Sequence, residues 1–233
     1  MHQELSQELS PLIISLKTSV VATIIAFVLG IYSARLVRRC DKKWVGILDS
    51  LFTLPMILPP TVVGFFLLVL FGKNGVLGAI LIRFDIQLIF SWSATVIAAT
   101  VVAFPLVYRT LRGSFEQIDE NIIFAARTLG MSERKIFWKI ILPICWPGIV
   151  AGNILAFARA LGEFGATMMI AGNIPGKTQT MPLAIFFAVE SGNMKLAGFW
   201  VSLLIIVSLI CMVLINYWNQ IQKSFGKTVR RKK

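Results

Sequence analysis

DENIIFAARTLGMSERKIFWKIILP, residues 119–143, holds two helix starts and one helix stop in a single short stretch. Asp119 is placed to cap a first helix, and Gly130 to end it as the left-handed residue beyond Leu129. Ser132 starts a second helix, with Glu133 in its first turn, where the helix dipole favours a carboxylate. The spacing predicts a helix–turn–helix arm. Ile122, Ala125, Ala126 and Leu129 recur at helical intervals, forming one apolar face with two small residues, rimmed by Arg127 and Arg134. Small side chains let such a helix seat closely in a groove of another protein; the other arrangement open to it is a hairpin packed on the chain's own helices. Glu116, Asp119 and Glu120 oppose phosphate contact, which argues against nucleic acid.

Outward from the arm the chain turns apolar. Of 233 residues, 57% are hydrophobic and only 15% charged, and the mean hydropathy is +0.79. Soluble domains carry about 45–50% and about 25%. Disorder and a disulfide scaffold are both excluded, the latter because only three cysteines are present. Five long uncharged stretches fall at 18–34, 50–72, 86–108, 140–158 and 196–222. A helix needs about 20 apolar residues to cross a bilayer. The chain is therefore read as one transmembrane domain, 1–233, all-α and polytopic, with spans at about 12–34, 50–72, 86–108, 141–163 and 196–219. Lys17 can snorkel from the first. That first run is not read as a cleaved signal peptide, because Met1 to Ser10 carry Glu4 and Glu8 and no Lys or Arg.

The net charge of +12 then reads as topology. Seventeen of the 23 cations fall in three alternate segments, 35–46, 109–139 and the tail after the fifth run. Only Lys73, Arg83, Lys177 and Lys195 lie on the other face, while Lys17 and Arg159 fall within helices. The positive-inside rule predicts an outside N-terminus, a cytoplasmic C-terminus and a cytoplasmic arm.

Between the spans, 73–85 suits a short interfacial helix, and the apolar piece from Thr180 to Val189 is too short to cross. Pro55, Pro59 and Pro60 must break the second span, either as a kink at a packed interface or as backbone lining a cavity. Thr53 and Thr61 beside them, and Thr167 among Gly162, Gly165 and Gly172, are candidate donors to an oxyanion. Arg159 and Glu163 are expected on one helix face, about 24 and 30 Å beyond Pro143. They are read either as flanking a gate or docking surface, or as an internal ion pair offsetting two costly charges.

Catalytic machinery is hard to assemble. The one histidine is His2, and Cys40, Cys145 and Cys211 have no metal-ligand spacing, so neither a metal nor a cofactor is expected. Gly176-Lys177-Thr178 is no phosphate-binding loop, since the first glycine that loop requires is replaced by Ala171. A membrane enzyme would need paired carboxylates or a histidine in the bilayer, and only Glu163 is available. A passive anion channel remains a competing reading.

Ala125-Ala126, Gly130, Ile140 and Leu142-Pro143 resemble the EAA-x3-G-x9-I-x-LP pattern of ABC importer inner-membrane permeases, with Phe124 where that pattern has Glu. LPMILPPTVVGFFLLVLFGKNGVLG (54–78) and FARALGEFGATMMIAGNIPGKTQTMPLAI (157–185) are similar to stretches of molybdate transporter permease subunits. Sulfate and thiosulfate permeases share a similar ALGEFG segment. The resemblance implies a five-helix ABC importer permease (MetI-like) fold in a bacterial or archaeal cytoplasmic membrane. It also implies a homodimer enclosing the pathway, two separate ABC ATPase subunits on the arms and an extracytoplasmic oxyanion-binding protein. The chain itself would then hydrolyse no nucleotide. The arm's ATPase contacts would be Ala125, Ala126, Arg127, Gly130, Ile140, Leu142 and Pro143. Pathway or gate candidates are Thr53, Pro59, Pro60, Thr61, Arg159, Glu163 and Thr167.

Overall fold

Small residues decide how the long helices meet. In the computed structural model, which describes residues 9–230, the first helix α1 (Ser10–Arg39) carries Ala22, Ala26, Gly30 and Ala34, all buried, at four-residue intervals. This ridge lies against α5 (Trp92–Glu116), which offers Ala99, Ala103, Val107 and Leu111. A Cβ on Gly30 would come within 2.8 Å of Val107 Cγ1, so the two backbones are as close as glycine permits. On its other side α5 packs on α8 (Leu142–Leu161), where Gly152 faces Thr110. Ile13, Ile24, Tyr32, Leu36 and many other large apolar side chains stay exposed on the outside of this trio, as lipid-facing surfaces do. His2, Glu4 and Glu8, and Arg231, Lys232 and Lys233, lie outside the described residues.

The remaining elements are α2 (Lys42–Ile57), α3 (Pro60–Phe71), α4 (Val76–Ile82), α6 (Glu120–Thr128), α7 (Glu133–Ile136), α9 (Gly165–Ala171), α10 (Met181–Glu190) and α11 (Met194–Arg230). Every regular element among the described residues is helical. Among the described residues four helices are long and apolar enough to cross a membrane, or five if one bent pair counts as a span.

That pair falls where the span at 50–72 was expected. The helix stops at Ile57 and restarts at Pro60 after a bend of 109°. Leu58 and Pro59, each preceding a proline, take extended backbone (ψ 142 and 137), and Pro60 then opens the next helix, where its missing N–H costs nothing. Pro55 is carried inside α2. The 86–108 stretch becomes helical only at Trp92, because Phe90 (φ 57) donates its N–H to Ile170 O at 3.2 Å instead. The fourth span starts earlier than 141. α7 runs through a π-turn, Phe137–Ile141, straight into α8, giving one continuous helix from Glu133 to Leu161. Pro143 has no N–H and would crowd the carbonyl four residues back, and the wider turn, closed by Leu142 N–H on Phe137 O, precedes it.

Candidate functional site

The arm is built by local rules. Asp119 accepts the Asn121 N–H at 2.9 Å, and Ser132 Oγ accepts the Lys135 N–H at 3.4 Å. Gly130 takes φ +73, and α6 closes with Gly130 N–H on Arg127 O (2.9 Å) and Met131 N–H on Ala126 O (3.1 Å), the paired bonds of a Schellman stop. Arg127 Nε lies 2.6 Å from Glu133 Oε1, bracing the turn.

The apolar face read from the sequence divides. Ala126 is buried with Ile123 against the chain's own core, together with Ile136, Phe137 and Ile141. Ile122 (42% exposed), Ala125 and Leu129 (81%) form the outward stripe. One helix can serve both, because residues three and four apart share a stripe while the intervening ones turn inward. Ile140 and Leu142 are half-buried against the core, so they support the arm from behind. An outward apolar stripe, two large side chains about a small one, on a short, firmly capped helix is a surface suited to a protein partner.

At the other end of α8, Arg159 and Glu163 do not share a helix face, because the helix ends at Leu161. Glu163 lies in the break before α9, 2% exposed. Its Oε1 accepts the Ala166 N–H at 2.8 Å, and its Oε2 forms an ion pair with Arg159 Nη1, also at 2.8 Å but outside hydrogen-bond alignment. The carboxylate thus anchors the start of α9 and is neutralised from α8.

The two broken regions meet here. A Cβ on Gly165 would lie 3.1 Å from Pro60 Cβ, and one on Gly64 would lie 2.7 Å from Met169 Cβ and 2.8 Å from Ala166 Cα. Pro60 and Thr61 therefore abut Gly165, while Pro59 is exposed at the bend. Thr167 is buried, closed to a waterborne anion in this conformation. Thr53 donates its only O–H to Asp49 O at 2.6 Å, leaving no donor for an anion.

Sequence reasoning missed two arrangements. Asp49 accepts from both Tyr108 Oη and Arg112 Nη1, and Arg112 Nε also donates to Glu116 Oε1 at 2.9 Å, fastening α2 to α5. Buried Ser15 Oγ accepts the Met181 N–H at 2.7 Å, holding α10 on α1. Tyr108, within a span and one turn before Arg112, was the available hint of the first.

A bent span, a capped outward arm continuous with a membrane helix, and a charged break at that helix's far end together describe a helical transport component. Comparison with known proteins agrees. The chain belongs to the family described as binding-protein-dependent transport system inner membrane component, which it matches over residues 26–224. It is a multi-pass inner-membrane protein. It is 44% identical over 212 residues to the putative molybdenum transport system permease YvgM of Bacillus subtilis, covering 91% of this chain and 93% of that one. Identity to the molybdenum transport system permease ModB of Escherichia coli K12 is 40% over the same shares, and to the sulfate transport system permease CysT of Salmonella typhimurium 35%, over 93% and 77%. The fold is that of an ABC importer permease: an inward-facing MetNI methionine ABC transporter chain superposes with a TM-score of 0.71 at 16% identity, over 93% and 96% of the two chains.

Proposed function

We propose that the chain is the pathway-forming permease of an oxyanion importer, with molybdate as substrate, working as a homodimer. The observation that carries this is the arm: an outward apolar stripe, Ile122, Ala125 and Leu129, on a rigid capped helix whose successor continues unbroken into a membrane helix. Two ABC ATPase subunits would grip these stripes, and ATP-driven closure would tilt the attached spans between inward- and outward-facing states. Phe124, where a charged residue is common, leaves the contact apolar. An external binding protein would select and deliver the anion.

The charge distribution supports an outside N-terminus and cytoplasmic arm. It also requires the bent pair, α2 and α3, to count as one crossing, because the cation-rich segments 35–46 and 109–139 on either side must share a face with one full span, α5, between them. Molybdenum-transport relatives at 40–44% identity, against 35% for the sulfate permease, support molybdate over sulfate or thiosulfate.

Uptake of labelled molybdate by vesicles holding the whole complex should be competed strongly by tungstate and weakly by sulfate. Equal competition by sulfate would move the assignment to that anion. Uptake without ATP would reduce the chain to a passive channel.

A further inference from the structure

Where the end of α1 meets the arm, a cleft of about 90 Å³ is lined by Arg35, Arg38, Arg39, Arg127, Glu133 and Phe137. We infer that this cleft is a binding site for a phosphoryl anion, of the kind an acidic phospholipid headgroup presents.

Four guanidiniums from two segments some ninety residues apart converge on one carboxylate, leaving three positive charges in excess. Two of the four are fixed in advance. Arg35 stacks over the Phe137 ring at 4.4 Å, which occupies its face and leaves its in-plane N–H groups for an acceptor, and Arg127 is held by Glu133 at 2.6 Å. Arg38 and Arg39 are exposed and pair with no carboxylate among the described residues. The cleft is small, and its polar lining is guanidinium apart from the one carboxylate. Arginine forks match phosphate oxygens in pairs.

Position selects the source. α1 has 30 residues. At 1.5 Å each it is about 45 Å long, against about 30 Å of hydrocarbon, so its last turns stand at headgroup level. Basic pockets between helices at that depth are where acidic headgroups settle. An occupant would bridge α1 to α6 through Arg127, whatever anion the protein transports.

The test uses the full chain, purified in uncharged detergent, with retained phosphatidylglycerol read by native mass spectrometry. Arg38→Gln/Arg39→Gln should lower retention about tenfold, while Lys42→Gln/Lys43→Gln, which removes equal charge just outside the cleft, should change it less than about twofold. Titration of the delipidated chain with inorganic phosphate distinguishes the sources. Phosphate heat seen in wild type and lost in the Arg38/Arg39 variant, with no phosphatidylglycerol retained by wild type before delipidation, would assign the site to free phosphate. Equal retention and equal phosphate heats in wild type and the Arg38/Arg39 variant would overturn the site. So would an equal loss in the Lys42/Lys43 variant, or binding of neither ligand in a chain whose ATPase capture depends on Arg38 and Arg39.

Discussion

The arm at 119–143 and the far break at 162–182 do the same topological job, ending one helix and starting the next, by opposite means. In the arm each stop and start is made within a few residues: Asp119 caps to Asn121, Ser132 to Lys135, Gly130 to Arg127. At the far break local bonds, such as Gly172 N–H on Met168 O at 3.2 Å and Ile174 N–H on Thr178 Oγ1 at 2.9 Å, are joined by distant ones. Gly165 is wedged against Pro60 and Thr61, and α10 is received by Ser15, 166 residues away in sequence. The arm therefore holds its shape regardless of where it sits. The break holds its shape only while α1, α3 and α8 hold their places.

Substitutions can test this contrast. The largest loss is expected from Gly64→Val, whose Cβ would meet Met169 Cβ at 2.7 Å and Ala166 Cα at 2.8 Å. Overpacking against backbone should cost about 3 kcal/mol, visible as a lower thermal midpoint of the purified chain. Glu163→Ala strips the anchor from α9 and leaves Arg159, about one-third exposed, unpaired. A loss of about 2 kcal/mol is expected, partly recovered in Glu163→Gln, which keeps an acceptor for Ala166 N–H. If Gly64→Val melts like wild type, the break does not depend on its distant partners; if Glu163→Ala does, its local cap is dispensable.

Arm variants should weigh on assembly more than on melting. At Gly130 a side chain meets nothing within 4 Å, so only φ +73 resists substitution. Gly130→Val should distort the turn at about 1–2 kcal/mol and abolish capture of the ATPase, whereas Gly130→Asn, tolerant of left-handed backbone, should keep it. Intact capture and ATP-dependent uptake in Gly130→Val would sink the docking role. Asp119→Ala should cost about 1 kcal/mol, read as faster amide exchange confined to α6. Arg127→Gln removes an exposed pair and should leave the thermal midpoint nearly unchanged, with any difference erased by salt.

The same contrast explains what could be read from residues alone. Asp119, Gly130 and Ser132 act on near neighbours, so the arm's helices followed from their spacing. Pro59 and Pro60 announced a break because proline acts on its own backbone. The 109° bend did not follow, since it depends on α3 seating against α9 through Gly64 and Gly165. Arg159 and Glu163 looked like helix-face neighbours because four-residue spacing assumes a helix, and Gly162 ends it. Asp49's clasp on Tyr108 and Arg112 joins residues 59 and 63 positions apart, beyond any local pattern.

The π-turn at Phe137–Ile141 lies inside one long helix. From α7 through α8 the chain is one rod of 29 residues, with the arm's second helix at one end and Arg159 at the other. Beyond the turn, α8's 20 residues extend about 30 Å, so a tilt of about 10° at the turn would swing the far end by about 5 Å. The rod's tip is moored through Arg159 to Glu163, and through Glu163 to α9. A nudge at the near end must therefore either drag that mooring along or part it.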